Sequence, residues 1–301
     1  MSALAVIAAL LLEHWRPLGG KKGYGEALAA WAGWLERSFN GGEPRHGLIA
    51  WLVALLPPLA ATLALYALLA WASPLLALAF NVAMLYLTLG FRQFSHYFTD
   101  LQQAVRAGDL ERARELLAAW RGEPAQHLGR EEVIRLAIEE ALVASHRHVF
   151  GVLFWFVLLP GPSGAVLYRL AQYLRRRWQP LGAFGEFAGR AARLLEWPAV
   201  RLTAASFAVV GDFEDAVYCW RTQAAAWPEP DTGVVLAAGA GALGVRLGMP
   251  VTSVDGVEVR PELGTGEAAD VPYLDRVVGL VWRALVVWVF VLLLAALVGA
   301  L

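Results

Sequence analysis

The sequence predicts an all-α, polytopic membrane protein with about four transmembrane helices, a re-entrant broken helix and cytoplasmic amphipathic helices. Three observations carry that prediction. Of its 301 residues 58% are hydrophobic and 17% charged, where soluble domains hold about 45–50% and roughly 25%. Several apolar runs approach or exceed the ~20 residues that cross a bilayer as a helix. Among the 13 tryptophans, Trp15, Trp51, Trp71, Trp155, Trp197, Trp282 and Trp288 flank or lie in apolar runs, as interfacial belts require. The net charge of −1 argues against a nucleic-acid partner, because phosphate readers carry a basic excess. The single cysteine, Cys219, excludes an internal disulfide and a cysteine-based zinc site.

The elements follow in order. Ala3–Leu12 is apolar but short, and reads as a tilted span or an interfacial helix. It lacks the basic start and small-residue cleavage site of a signal peptide, so it is expected to stay in the mature chain. A polar segment carrying Arg16, Lys21, Lys22, Arg37 and Arg45 follows. Leu48–Leu89 is long enough for two spans, with a turn near Trp71–Pro74 and a kink at Pro57-Pro58. Residues 92–148 read as a cytoplasmic insertion of amphipathic helices. Asp109 caps one of them, running through Trp120, with Glu111, Arg112, Arg114 and Glu115 on its wet face. Another begins near Arg130, with Val133, Leu136, Ile138, Ala141 and Leu142 as its apolar stripe.

Val149–Tyr173 is apolar enough for lipid but broken at Pro160-Gly161-Pro162-Ser163-Gly164. Prolines remove donors and glycines loosen the backbone, so a continuous helix is disfavoured there. Backbone freed at membrane depth must be satisfied by protein or line a polar cavity. Broken helices of this kind mark substrate or ion sites, with half-helix N-termini facing anions; a kinked span packed on its neighbours is the plain alternative. Arg175-Arg176-Arg177 follows, and the arginine- and lysine-rich segments 13–45 and 92–148 are assigned to the cytoplasm. Keeping the triplet on the same side makes Val149–Tyr173 a re-entrant hairpin with arms of roughly 10 residues.

Residues 174–276 read as a cytoplasmic or interfacial segment. Within it, Trp197–Val210 is a short buried or interfacial helix, and Asp212, Glu214 and Asp215 start another. Gly233–Gly248 is rich in small residues that let helices approach closely. Asp255-Gly256 suggests a hairpin turn within Val251–Val259. Residues 277–301 are the C-terminal transmembrane helix, with Arg283 in its first turns. The whole chain, 1–301, reads as one membrane-embedded domain.

Soluble-enzyme signatures are missing: there is no Walker loop, HExxH or G-x-S-x-G. Gly239-Ala240-Gly241 lacks the preceding strand that a dinucleotide fold needs. His146 and His148 flank Arg147, but residues two apart on a helix face different ways, so no metal site is expected. They read as interfacial polar residues. Glu139 and Glu140 lie either on a solvated face or at a site for a cation. Arg283 is costly in an apolar span unless paired or snorkelling, which makes it a substrate-binding candidate.

Several stretches together resemble one family. The run Pro230-Asp231-Thr232-Gly233-Val234-Val235, followed by residues through Ala240-Gly241-Ala242-Leu243-Gly244-Val245-Arg246-Leu247-Gly248, is similar to the P-N-x-G-W-P-M-x-A-x-A-G-A-L-G-V-x-L-G signature of the CobD/CbiB cobalamin-biosynthesis family. Gly108–Arg114, Glu139-Glu140, Leu153–Tyr168, and Arg276 ahead of Trp282 fall in the family's order. The resemblance covers roughly residue 90 to the end. It implies a multi-pass protein of the bacterial inner membrane. The implied reaction joins a carboxylate of the corrinoid cobyric acid to the amine of an amino-alcohol or its phosphate. ATP and magnesium are implied only with that ligase activity, the other partners being the bilayer and a corrinoid or other anionic small molecule. By position the resemblance implies Glu140 and Asp231 as catalytic. Gly161, Ser163, Gly164, Gly233, Gly239, Gly241, Gly244 and Arg246 are implied as substrate-binding, since glycine backbone and half-helix N-termini suit anions.

The departures are specific. Ala144-Ser145-His146-Arg147-His148 stands where the family has E-N-T-x-D-G, and Gln172-Tyr173-Leu174-Arg175-Arg176 replaces its N-T-x-D-S. A second resemblance, carried by Leu195–Leu202, Val210–Ala216 and Trp220, is to AmpE, a membrane protein regarded as a sensory transducer in β-lactamase induction. An AmpE-like, non-enzymatic sensor is therefore the alternative function. A transporter is a third class, motivated by the broken helix without an inverted repeat to support it.

Overall fold

Long apolar runs with few internal glycines leave helix as the way to satisfy the backbone. A computed structural model describes residues 2–15, 22–253 and 256–299. The described residues are 81% helical, and the chain is an all-α membrane protein. Its first elements are α1 (Ser2–Trp15), α2 (Lys22–Phe39), α3 (Pro44–Ala72), α4 (Pro74–Thr88), α5 (Phe91–Ala107), α6 (Leu110–Arg121) and α7 (Arg130–Ser145). A π-helical turn, His146–Phe150, leads into α8 (Gly151–Leu158) and then α9 (Ser163–Trp178). After these come α10 (Glu186–Val210), α11 (Phe213–Gln223) and α12 (Pro230–Leu243). Five short strands follow, β1 (Val245–Gly248), β2 (Val251–Ser253), β3 (Gly256–Glu258), β4 (Glu262–Leu263) and β5 (Glu267–Ala268), before α13 (Val271–Leu297).

Among the described residues three helices are long and apolar enough to cross a membrane: Pro44–Ala72, Arg130–Leu158 and Val271–Leu297. Ser2–Glu13 and Pro74–Thr88 are shorter apolar helices. The turn expected near Trp71–Pro74 is present. Ser73 ends α3 and caps α4, its Oγ accepting from the Leu75 N–H at 3.3 Å. Two boundaries differ from the sequence reading. Trp197–Val210 is the second half of a 25-residue helix, and the C-terminal helix begins at Val271 rather than Val277. In both cases charged residues precede the apolar run, Glu186, Arg190, Arg193 and Glu196 in α10 and Asp275 and Arg276 in α13, so hydropathy alone registers the helix late. Arg16 and Lys21 lie outside the described residues.

The chain forms two compact units, each described by itself. The first comprises Met1–Leu89, Gly151–Pro198 and Leu292–Leu301. Its core includes Leu55, Leu174, Trp178 and Phe184, all fully buried. Here the proline- and glycine-rich break falls where expected, between α8 and α9. The two helices pack so closely that a Cβ on Gly164 would sit 1.8 Å from the Trp155 carbonyl oxygen. Gly161 takes φ +57° against the Tyr66 ring. The arm entering the break is the end of the 29-residue helical run Arg130–Leu158, longer than the roughly 10-residue arm of a re-entrant hairpin. The arginine triplet is part of α9. Arg175 meets Glu196 at 2.7 Å, while Arg177 and the Trp178 indole both bond Glu36.

The second unit comprises Gly90–Phe150 and Ala199–Val291. The Asp109 cap is present, its carboxylate accepting from the Arg112 N–H at 3.0 Å, and Gly122 closes α6 in the left-handed region at φ +76°. α12 is buried from Gly233 to Leu243 because its small residues admit neighbours. Cβ atoms on Gly233, Gly239 and Gly241 would stand 2.3 Å from Ala224 O, 2.7 Å from a Leu142 methyl carbon and 2.4 Å from Asp215 O. β1 pairs antiparallel with β4 (Leu247↔Leu263) and parallel with β5 (Val245↔Glu267). β2 and β3 form the expected hairpin, register Val251↔Glu258, with Asp255 outside the described residues.

Three polar residues of α7 fasten this strand segment. Glu132 accepts from the Thr252 N–H at 2.8 Å, Arg135 donates to Pro250 O at 2.9 Å, and Glu139 accepts from the Gly248 N–H at 2.9 Å. Glu139 also pairs with Arg260 at 2.9 Å, both side chains 8% exposed. The solvated-face reading of Glu139 is thereby corrected: the polar loop folds back over α7 and supplies the arginine that burial requires.

Candidate polar site at the start of the twelfth helix

Within the second unit, three segments bring polar side chains together: the π turn after α7, the α10 residues Ala199–Thr203, and the first turn of α12. Glu229-Pro230-Asp231-Thr232 is a helix-start sequence, with Glu229 at the cap, proline in the first turn and an acid beside the positive dipole end. Arg147 reaches this turn from the π segment, 3.3 Å from Thr232 Oγ1 and 3.5 Å from a Glu229 carboxylate oxygen. Thr232 donates to Glu229 at 3.0 Å. From α10, Arg201 stands 3.9 Å from Asp231.

These ion pairs sit at the long end of contact, and their side chains are 17–45% exposed. Loose, partly hydrated pairs contribute little to stability. Two guanidiniums beside a helix N-terminus suit carboxylate or phosphate oxygens, which they grip through paired N–H donors. The two carboxylates beside them suit a cation or an ammonium group.

His146, just before Arg147, is buried. Its Nδ1 lies 2.9 Å from Thr203 Oγ1, whose hydroxyl donates to Ala199 O at 2.9 Å. Its Nε2 has no hydrogen-bond partner among the described residues. The interfacial reading of His146 is corrected, because the π turn and α10 enclose it. Nearby, Phe150 packs against Phe207 and Trp288 at centroid distances of 5.8 and 5.6 Å. π turns arise where one residue too many is held in a helix, and they concentrate at functional sites.

The residues singled out from sequence are distributed as follows. Asp231 and Gly233 lie at the start of α12, and Glu140 is half-buried on α7. Gly239 and Gly241 lie mid-helix, where close packing accounts for them. Gly244 ends the helix in the left-handed region at φ +65°. At 1.5 Å per residue it is about 20 Å from Asp231, so the long glycine signature is not one anion cradle. Arg246 pairs with Glu262 at 3.6 Å. Arg283 is exposed and bonds the Gly279 carbonyl of its own helix. Gly161, Ser163 and Gly164 belong to the first unit, where Ser163 Oγ donates to Pro160 O at 2.7 Å. Arg147, Arg201, Thr203, Glu229 and Thr232 were not singled out. An arginine inside the apolar run 197–210 is the one signal that would have drawn attention to α10.

The family model described as CobD/Cbib protein matches residues 7–281, nearly the whole chain. This chain belongs to the CobD/Cbib family. It is 38% identical over 305 residues to the cobalamin biosynthesis protein CobD of Stutzerimonas stutzeri strain A1501, with 96% of each chain covered. It is 36% identical to the protein of that name from Chromobacterium violaceum, covering 99% of this chain and 98% of that one. A third, from Mycobacterium tuberculosis strain CDC 1551 / Oshkosh, is 31% identical over 60% of each. No solved structure matches. The CobD/Cbib match takes in both the broken helix and the polar site at the start of α12.

Proposed function

We propose that this protein acts in cobalamin biosynthesis as a multi-pass protein of the bacterial inner membrane. In this reading it joins a corrinoid carboxylate, that of cobyric acid, to the amine of an amino-alcohol or its phosphate. The role in the pathway rests on near-full-length similarity to proteins named for it. The amide step rests on one observation, the gathering of two guanidiniums and two carboxylates at the start of α12.

An amide does not form from a free carboxylate at useful rates without activation, which here implies ATP with magnesium. Magnesium held on nucleotide phosphates asks the protein for only one or two carboxylates. Asp231, Glu229 and Glu140 are the candidates for that role. Arg147 and Arg201 would bind the carboxylate and phosphate oxygens that must be brought together, neutralising charge that otherwise keeps the anions apart. Orientation of the amine against the activated carbonyl supplies much of the remaining advantage.

The test is genetic and then biochemical. A strain lacking the gene should grow on cobinamide but not on cobyric acid. Its membranes, with the gene restored, should make the amide from cobyric acid, an amino-alcohol, ATP and magnesium. Unaltered corrinoid synthesis with an altered β-lactam response would overturn the amide reading in favour of the AmpE-like sensor, which the 195–220 segment motivates.

A further inference from the structure

We infer that the exposed stripe of α13 around Arg283 binds the headgroup of an anionic phospholipid. α13 is one of the three helices long and apolar enough to cross a membrane, and it has two distinct sides. Val277, Leu280, Ala284 and Trp288 are buried, and Trp288 donates to Ser206 at 2.7 Å. Arg276, Arg283, Val286 and Phe290 are exposed. Spaced by seven, three and four residues, these four share one side of the helix.

The character of that side changes at Arg283. Ahead of it stand Asp275 and Arg276, whereas beyond it Val286 and Phe290 are 63% and 59% exposed. Apolar side chains so open on a membrane helix face lipid, and the exposed Trp282 is of the type that gathers at headgroup level. A guanidinium is too costly to leave in hydrocarbon. Arg283 Nε donates to the Gly279 carbonyl, one turn back, at 3.2 Å, which draws the side chain toward the charged end of the helix. Among the described residues its Nη nitrogens have no bond. They are the fork that grips two oxygens of one phosphate.

The nearby charges favour an anion. Asp275, the one acid of α13, is already bonded by Gln102 at 2.9 Å and by Arg106. Arg276 lies about two turns before Arg283, its guanidinium 4.7 Å from the Tyr273 ring centroid. Arg283 thus meets the phosphate layer while Arg276 stands on its watery side, and both are attracted to a negatively charged leaflet. A headgroup held there fixes the depth and rotation of α13, whose opposite side carries Trp288 to Ser206.

The experiment titrates the full chain in neutral detergent with phosphatidylglycerol, and separately with phosphatidylcholine, whose choline offsets its phosphate. Bound lipid is read by native mass spectrometry. Phosphatidylglycerol should bind more tightly than phosphatidylcholine, and Arg283→Gln should weaken it roughly fivefold, the factor one basic residue contributes at an anionic surface. Arg112→Gln removes an exposed arginine of α6 instead and should bind as wild type does. A second measurement stands even if Arg283→Gln does not fold. Nitroxides on Arg276→Cys and on Val286→Cys, each in a Cys219→Ser background, are placed in vesicles of both lipids. The first should be relaxed by a water-soluble nickel complex and the second by oxygen dissolved in the bilayer. Unchanged affinity in Arg283→Gln, an equal loss in Arg112→Gln, displacement of the lipid by inorganic phosphate, or a Val286 label in water would each overturn the inference. None of these outcomes depends on amide formation.

Discussion

Two interruptions of helical regularity lie on one stretch of chain, and they differ in kind. The break at Pro160–Gly164 is written in residues that disfavour helix, and its polar and small groups are consumed by packing. Ser163 bonds Pro160, Gly161 lies against Tyr66, and Gly164 presses on the Trp155 carbonyl. The π turn at His146–Phe150 carries neither proline nor glycine, yet it buries a histidine with an unpartnered nitrogen and aims an arginine at a helix N-terminus. An obvious break therefore serves architecture here, and an inconspicuous one carries the polar chemistry.

The ion pairs repeat the contrast. Arg175–Glu196 and Arg260–Glu139 are short and buried. Arg147–Glu229 and Arg201–Asp231 are long and partly exposed. Removing one member of a buried pair strands a charge, whereas partly exposed pairs contribute little to stability.

Variants can break or sharpen this comparison. The largest expected effect is that of Glu139→Ala, which strands Arg260 and the Gly248 N–H and should cost about 3–5 kcal/mol. A thermal melt in detergent would show it, and an unshifted midpoint would remove Glu139 from the architecture. Gly164→Ala forces α8 and α9 apart and should cost about 1–3 kcal/mol or more, seen as a lowered melting temperature with less folded protein in membranes. Arg147→Lys and Asp231→Asn should change stability by less than about 1 kcal/mol while lowering kcat/KM at least about tenfold, since a guanidinium fork and a charged carboxylate are lost. A reversed pattern, melting affected and turnover not, would make the α12 site structural. The smallest perturbation is a reporter fused after Arg177, which the charge distribution expects to score cytoplasmic. A periplasmic score would mean that the stretch around the break crosses fully. The internal pairing of Arg175 and Arg177 with Glu196 and Glu36 makes that measurement worthwhile, because it weakens the triplet as a topological signal.

Much of the fold was legible because it depends on local chemistry. The Ser73 turn, the Asp109 and Asp212 caps, the Gly122 stop and the break after α8 each follow from residues within one turn of themselves. The small-residue character of α12 likewise announced close packing, and Gly239 against Leu142 bears it out. The site was legible only in part. Asp231 and Glu140 stood out by family position, but Arg201, which faces Asp231, comes from a helix read as merely apolar.

The sequence alone determined the class of molecule, the ends of most helices and the family, because hydropathy, capping chemistry and a contiguous glycine-rich signature are properties of short stretches. Only the tertiary structure decided which polar residues share a site. It paired Glu139 with an arginine 121 residues further along the chain and His146 with a threonine 57 residues away, and it set Arg147 against the first turn of α12. The physical reason is burial: a polar side chain taken out of water must find its partner in space, and sequence distance does not enter that requirement.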